Sequence, residues 1–225
     1  MASRLVLVLG DLFIPDRALD IPSKFKKLLS PGKIGQILCL GNLTDTSTYE
    51  YLRSLAPDLQ LVRGDFDFNL PPTTSTTSTS TPIPTSIPTS KTLRLGNDIH
   101  IGITHGHTIV PLGDPDALLT AARQMDVDVL LWCAGMGKFE AYELEGKFFV
   151  NPGSATGALS TAWVAEGDGE GDVLAGGGSV PSFVLMDVQG DVLVLYVYQL
   201  KDGPDGAVSV EKVSYRKGGE GVGAG

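Results

Sequence analysis

The sequence lacks three features that mark common classes of protein: many cysteines, a dense cluster of lysine and arginine, and a long apolar run. With 2 cysteines in 225 residues, a disulfide-stapled scaffold is excluded, and we interpret Cys39 and Cys133 as small buried thiols in apolar strands. The net charge of −9 argues against nucleic acid as a partner. Neither a signal peptide nor an apolar run of about 18 residues occurs, so we expect a cytoplasmic protein without direct membrane insertion.

The composition favours one folded domain with two interruptions. A hydrophobic fraction of 42% is enough for one substantial core, and we predict a single domain over residues 1–217. Residues 71–90 are almost wholly proline, threonine and serine, and residues 165–179 are rich in glycine and acidic residues. Such segments bury too little apolar surface to offset the entropy of ordering them, so we predict two flexible insertions. Residues 218–225 are predicted to form a disordered tail.

The order of predicted strands and helices indicates an α/β fold. Five consecutive aliphatic residues at 5–9 predict a strand buried on both faces. Strands and helices then alternate, which favours parallel pairing, and Asp114 and Pro115 mark the start of one helix. After residue 138 only strands follow, which predicts a second, mixed or antiparallel sheet and hence a two-sheet β-sandwich flanked by helices. The later strands are predicted at 138–144, 147–150, 182–188, 192–200 and 208–216.

Four polar side chains follow predicted strands. Asp11, Asn42 and Asp65 each come after a glycine at the end of an apolar run, and His105 comes after the run at 99–103. Because ligands bind at the carboxyl ends of strands in open α/β sheets, we expect these side chains to meet at one rim. Carboxylate, amide and imidazole groups together form the ligand set of a dinuclear metal site, which activates water for phosphoryl transfer.

This pattern resembles the calcineurin-like metallophosphoesterase family, and the resemblance also shows what is missing. Phe13 stands where the family has the histidine beside the reacting phosphate, and Gly135 and Gly137 stand where it has a pair of histidine ligands. Asn42 replaces the bridging aspartate, and Asp65 replaces an asparagine. The resemblance therefore implies the family's fold without a catalytic residue. It implies no required cofactor and at most one weakly bound Zn²⁺ or Mn²⁺.

Segments that carry no chemistry resemble the metallophosphoesterase-like small subunits of the retromer complex. They lie at 10–15, 22–29, 62–67, 149–157 and 181–187. This resemblance implies a non-catalytic scaffold that docks the α-solenoid subunit of retromer in endosome-to-Golgi and endosomal recycling transport. It further implies a location in the cytoplasm and, through the complex, at the periphery of endosomal membranes. Sorting nexins and Rab regulators are further candidate partners.

An apolar collar is predicted around the same rim. Apolar side chains beside a site that has lost its ligands suit a protein interface, whereas an active phosphatase needs an open polar mouth. The alternative is that these residues pack under loops. The predicted partner-binding residues are Phe13, Ile14, Pro15, Val110, Pro111 and Leu112.

Two other functions deserve comparison with a scaffold. A weak metal-dependent phosphoesterase is the main alternative, since Asp11, Asn42, Asp65 and His105 are enough to hold one ion. A nucleotide-binding α/β protein is disfavoured because residues 10–15 do not form a Gly-x-Gly-x-x-Gly loop after the first strand. The role of His107 stays open between a hydrogen-bonded loop residue and a ligand.

Overall fold

The computed structural model describes residues 5–67, 86–96, 99–135, 137–158, 179–201, 206–218 and 223–224. Within these ranges no helix is both long and apolar enough to cross a membrane. The described elements, in chain order, are β1 (Leu5–Leu9), α1 (Ser23–Leu28), β2 (Ile34–Cys39), α2 (Thr46–Leu55), β3 (Asp58–Leu61), β4 (Ser90–Leu95), β5 (Ile99–Thr104), α3 (Pro115–Gln124), β6 (Val129–Leu131), β7 (Phe139–Leu144), β8 (Lys147–Pro152), β9 (Ser182–Gln189), β10 (Val192–Leu200), β11 (Val208–Arg216) and β12 (Gly223–Ala224).

The first sheet has seven strands in the order β12-β11-β10-β9-β1-β2-β3. Strands β1, β2 and β3 are parallel, and β9 joins the free side of β1 in antiparallel orientation. Strand β1 is therefore an interior strand with a neighbour on each side. Its residues Val6 to Leu9 are all buried, as the unbroken aliphatic sequence requires.

The second sheet has five strands in the order β4-β5-β6-β8-β7. Its three central strands are parallel, and the two outer strands are antiparallel to their neighbours. The carboxyl ends of β5 and β6 therefore lie at one edge of this sheet.

Three apolar layers hold the two sheets and the helices together. Alternate residues of β1 face opposite ways: Leu7 and Leu9 pack with α1 and α2, whereas Val6 and Val8 pack against the second sheet. On the far side of the second sheet, α3 packs onto Trp132 and its neighbours. The order of layers is helices, sheet, sheet, helix, which confirms the predicted sandwich.

Local sequence signals explain two helix boundaries. Asp114 accepts a hydrogen bond from the Ala117 N–H at 2.8 Å, and Pro115 occupies the first turn, as predicted for α3. In α2 the cap is Asp45, which accepts from the Thr48 N–H at 2.9 Å, so this helix begins at Thr46.

Strands β9, β10 and β11 are not in the sheet to which the sequence assigned them. They extend the first sheet, and only β7 and β8 of the later strands belong to the second. The reason is the apolar sequence of β1, which needs a neighbour on both sides. The antiparallel strand β9 covers the side that the parallel strands leave open.

The boundaries of the irregular segments also need correction. Residues 71–85 and 165–178 lie outside the described residues, but the first predicted insertion extends too far. Ile87 packs on the core, the Arg63 N–H donates to the Pro88 carbonyl at 2.8 Å, and β4 starts at Ser90. The second predicted insertion also extends too far at its end, because Ser179 donates its hydroxyl to the Gly137 carbonyl at 2.7 Å. Two residues of the predicted tail form β12, because the edge of β11 offers unpaired backbone groups.

Candidate functional site

The four predicted site residues meet at the carboxyl ends of their strands. Asp11, Asn42 and Asp65 follow β1, β2 and β3 of the first sheet, and His105 follows β5 of the second. The His105 Nε2 atom lies 3.1 Å from Asp11 Oδ1 and 3.6 Å from Asp65 Oδ1. Asp11, Asn42 and His105 are at most 1% exposed, whereas the Asp65 side chain is 23% exposed and borders solvent. The structure therefore brings the four predicted residues together in one cluster.

The orientation of Asn42 differs from that of a metal ligand. The Phe66 N–H donates to Asn42 Oδ1 at 3.0 Å, which turns the amide nitrogen toward the cluster. Asn42 Nδ2 then lies 2.6 Å from Asp11 Oδ1, 3.0 Å from Asp65 Oδ1 and 3.1 Å from His105 Nε2. An amide nitrogen carries two hydrogens and donates them, so it meets the carboxylates as a hydrogen-bond donor. In this arrangement Asn42 faces the cluster as a hydrogen-bond donor, and its role as a metal ligand stays a prediction.

Asp67 holds this corner of the site together and was missed as a site residue. Its Oδ2 atom accepts from the Asn42 N–H at 2.8 Å and from the Gly64 N–H at 2.7 Å. Burial raises the pKa of Asp67, although these two hydrogen bonds act in the opposite direction. Asn42 has a left-handed backbone with φ of 55°, and Asp67 stabilises the turn that this conformation requires. The repeated Asp65-Phe66-Asp67 pattern was the available signal.

His107 supports His105 from the solvent side. The two Nδ1 atoms lie 2.9 Å apart, and His107 is half-buried. Burial and the neighbouring His105 lower the pKa of His107. Of the two roles left open for His107, the hydrogen-bonded one agrees with this geometry.

Phe13 and Gly135, which the resemblance aligns with family ligands, have different surroundings. Phe13 is buried and packs edge-to-face on Phe66 with ring centroids 5.4 Å apart, and the Arg17 guanidinium lies 4.4 Å from each ring centroid. By contrast, a Cβ atom added to Gly135 meets nothing within 4 Å. A cleft of about 410 Å³ opens beside Gly135, lined on one side by Leu112.

These residues do not fit a dinuclear metal centre. Phe13 offers no donor atom, the two glycines offer no side chain, and Asn42 faces the cluster with a nitrogen that donates hydrogen bonds. A two-metal mechanism needs ligands for both ions. The polar groups that remain are mostly joined to one another by hydrogen bonds.

One group of potential ligands remains, and it includes a residue that the sequence interpretation left out. Within the described part of the chain, donor atoms of Asp11, His105 and Cys133 all lie within 4.8 Å of one another. The Asp11 N–H points at Cys133 Sγ, 3.0 Å away, and burial raises the pKa of that thiol well above its usual value. Cys133 follows β6 by two residues, just as Asp11 follows β1, and this parallel was the signal that could have identified it.

The predicted collar is only partly available to a partner. Phe13 is fully buried and Ile14 is 5% exposed, so both pack inside the chain, as the alternative interpretation had it. Val110 is 77% exposed, Pro15 and Pro111 are exposed, and Leu112 is half-buried. We define the exposed collar as Pro15, Val110, Pro111 and Leu112.

Comparisons with known proteins agree with this fold. A model of the calcineurin-like phosphoesterase superfamily domain matches residues 5–167. Vacuolar protein sorting-associated protein 29 of Schizosaccharomyces pombe is 50% identical over 213 residues, which cover 95% of this chain and 98% of that protein. The Vps29 crystal structure from Chaetomium thermophilum is 52% identical with a TM-score of 0.79, and the match covers 95% of this chain and 99% of that one.

A third relative was solved with a metal. Wild-type Vps29 from Entamoeba histolytica, complexed with Zn²⁺, is 37% identical with a TM-score of 0.73, and the match covers 93% of this chain and 98% of that one. Each match extends over nearly the whole length of both proteins and includes the strand ends described above. The chain belongs to the calcineurin-like phosphoesterase superfamily and, within it, to the vacuolar protein sorting-associated protein 29 family.

Proposed function

We propose that this protein is a non-catalytic scaffold subunit of the retromer cargo-recognition complex. In this role it docks the α-solenoid subunit of retromer through the exposed collar and takes part in endosome-to-Golgi and endosomal recycling transport. It resides in the cytoplasm and reaches the endosomal membrane as a peripheral component of the complex. Membership of the vacuolar protein sorting-associated protein 29 family supports this assignment.

The observation that carries the proposal is the exposure of Val110. This aliphatic side chain is 77% exposed and follows His107 closely in the chain, and Pro15 and Pro111 are exposed as well. Burying such a side chain in a partner gains about 25 cal/mol for each Å² of apolar area removed from water. The neighbouring cleft beside Gly135 offers a concave surface continuous with Leu112. An apolar rim next to a cleft suits a protein interface.

The polar cluster beneath the collar supports a structural role over hydrolysis. Phosphoryl transfer needs a nucleophile, stabilisation of the transferring group and a proton donor for the leaving group. Phe13 occupies the family position beside the phosphate and cannot donate a proton. The Asn42 amide donates toward Asp11 Oδ1 at 2.6 Å and Asp65 Oδ1 at 3.0 Å and thereby links the two carboxylates.

A binding experiment tests the interface directly. We expect Val110→Asp to weaken binding to the purified α-solenoid retromer subunit by at least about 2 kcal/mol, or roughly 30-fold, because a carboxylate would be buried in the contact. Isothermal titration calorimetry measures the dissociation constant. Val210→Asp is the matched control, since Val210 is also an exposed valine, at 52%, but lies on β11. Equal affinities of wild-type and Val110→Asp protein would reject this interface.

An activity assay tests the competing function. We expect no hydrolysis of phosphomonoesters or phosphodiesters above background when Mn²⁺ or Zn²⁺ is supplied, because the ligands for a second ion are missing. The assay compares the wild-type protein with Asp11→Asn, which removes the carboxylate at the centre of the cluster. Metal-dependent turnover that disappears in Asp11→Asn would instead establish the weak phosphoesterase alternative.

A further inference from the structure

The starting point is an acidic oxygen that has no hydrogen-bond partner. Asp11 is 1% exposed, and its Oδ1 atom accepts from Asn42 Nδ2 at 2.6 Å. Its Oδ2 atom is buried and makes no hydrogen bond within the described part of the chain. A buried carboxylate oxygen left in this state carries a large desolvation cost, which a bound cation removes.

Two further donor groups surround this carboxylate. His105 and Cys133 each place a nitrogen or sulfur atom within 4.8 Å of Asp11 and of each other, and both are at most 1% exposed. They come from the second sheet, His105 after β5 and Cys133 after β6, whereas Asp11 comes from the first. The group is thus assembled across the gap between the two sheets. Asp65, with a side chain that is 23% exposed, lies 3.6 Å from His105 and provides a polar approach from solvent.

We propose that Asp11, His105 and Cys133 together bind a single Zn²⁺, with the Cys133 thiolate as one of its ligands. This ligand set differs from the family pattern, in which the missing imidazoles belong at Gly135 and Gly137. The sulfur atom replaces them from a different position, two residues before Gly135, and the proton of the thiol passes to solvent on binding. The site is independent of the docking proposal, because the exposed collar lies on the rim and not in this buried group.

The donor set determines which cation fits. Carboxylate and water suit Mg²⁺ and Mn²⁺, whereas a set of one thiolate, one imidazole and one carboxylate suits Zn²⁺. We therefore expect Zn²⁺ to bind and Mn²⁺ to compete poorly. The other cysteine, Cys39, is equally buried but lies in the core of the first sheet and outside the ligand group, so it provides an internal control.

Cobalt titration of the full-length apoprotein tests the ligand assignment. Co²⁺ replaces Zn²⁺ in such sites and gives a sulfur-to-metal charge-transfer absorption band only when a thiolate is bound. We expect this band in the wild-type and Cys39→Ser proteins, its loss in Cys133→Ser, and bleaching when Zn²⁺ is added. We also expect Cys133→Ser to bind Zn²⁺ at least about tenfold more weakly in a competition assay with a chromophoric chelator, since even residues beyond the metal's direct ligands change affinity by that factor.

X-ray absorption of the Zn²⁺-loaded wild-type protein provides a test that needs no variant. A sulfur scatterer at about 2.3 Å from zinc supports the proposal. Zinc bound by oxygen and nitrogen alone, no zinc retained after dialysis, or a charge-transfer band that persists in Cys133→Ser would each overturn it. Loss of the fold in Cys133→Ser, detected by circular dichroism, leaves the absorption spectrum of the wild-type protein to decide the outcome.

Discussion

The two sheets bring different groups to the candidate site. The first sheet supplies Asp11, Asn42 and Asp65 at its strand ends, and the Asn42 amide joins the two carboxylates by hydrogen bonds. The second sheet supplies His105, but Gly135 leaves open space beside a cleft of about 410 Å³. The residues from the first sheet are joined by hydrogen bonds, whereas the Gly135 side borders an open cleft.

This difference shows that the two sides of the site are stabilised in different ways. Two carboxylates in a buried cluster repel each other unless a cation or a donor lies between them. Here an amide held in place by the Phe66 N–H takes that position, so the first sheet depends on Asn42. Among the described residues, a Cβ atom added to Gly135 meets no atom within 4 Å, so packing constrains this side less. Three predictions compare the stability of the two sides.

The largest effect is expected for Asn42→Asp. The change replaces the amide NH₂ by an oxygen that faces Asp11 and Asp65, and we expect the free energy of unfolding to fall by about 3–5 kcal/mol at pH 7, comparable to breaking a buried pair. Urea denaturation followed by circular dichroism measures the loss. Asn151→Asp is the control, because Asn151 is also buried and uses its Oδ1 atom to accept from the Gly153 N–H at 2.9 Å. A midpoint of Asn42→Asp equal to that of the wild-type protein would show that the Asn42 amide is dispensable.

A smaller effect is expected for Gly64→Ala. The new Cβ atom would lie 2.3 Å from Asn42 Oδ1 and 2.6 Å from its backbone nitrogen, so the Asn42 turn must move, at a cost of about 3 kcal/mol. Gly135→Ala should cost only about 1 kcal/mol, from its positive φ of 125°, because the added atom meets open space. Thermal and urea unfolding of both variants test the ranking. A greater loss in Gly135→Ala would reverse the contrast between the two sheets.

The smallest effect concerns Asp128, just before β6 of the second sheet. Burial raises its pKa, but a hydrogen bond from the His100 N–H at 3.0 Å and the Lys217 ammonium at 2.9 Å outweigh burial and lower the pKa below 3.8. A carboxyl whose pKa is lower in the folded state stabilises the fold above its unfolded pKa, and that contribution is lost as pH falls through the folded value. We expect Asp128→Asn to cost about 1 kcal/mol at pH 7 and less at pH values near 3.

The control for this prediction is Asp191→Asn. Asp191 also lies near a cation, Arg216, at 3.7 Å, but its side chain is 65% exposed, so its loss should change stability little at either pH. If the free energies of unfolding of wild-type and Asp128→Asn protein differed by the same amount from pH 3 to pH 7, the predicted pH dependence would be wrong.

Local signals were enough to predict much of the fold and part of the site. The aliphatic run of β1, the Asp114 cap of α3 and the polar residues after each strand depend on short stretches of sequence, and the structure agrees with all three. The parallel direction of β1 and β2 within the first sheet then brings Asp11 and Asn42 together. Sequence reasoning succeeds where neighbours along the chain determine the outcome.

Contacts between distant segments explain the errors. The orientation of Asn42 depends on the Phe66 N–H, and the burial of Phe13 depends on Phe66 and Arg17, none of which a strand or loop pattern reveals. Ile87 follows a stretch rich in threonine and serine, yet it packs on the core of the first sheet. An apolar residue inside a polar segment gives no local sign of where it docks.

The pairing of β1 with β9 has a consequence for how the protein is made. Val6 lies opposite Met186, so the second neighbour of the first strand leaves the ribosome long after β1, β2 and β3. Until then β1 to β3 form a parallel sheet with an exposed apolar edge, which is prone to aggregate. Contacts between residues so far apart also slow folding, because the intervening chain must close a long loop. We expect nascent chains to depend on chaperones until the hairpin of β9 and β10 emerges and β9 pairs with the exposed edge of β1.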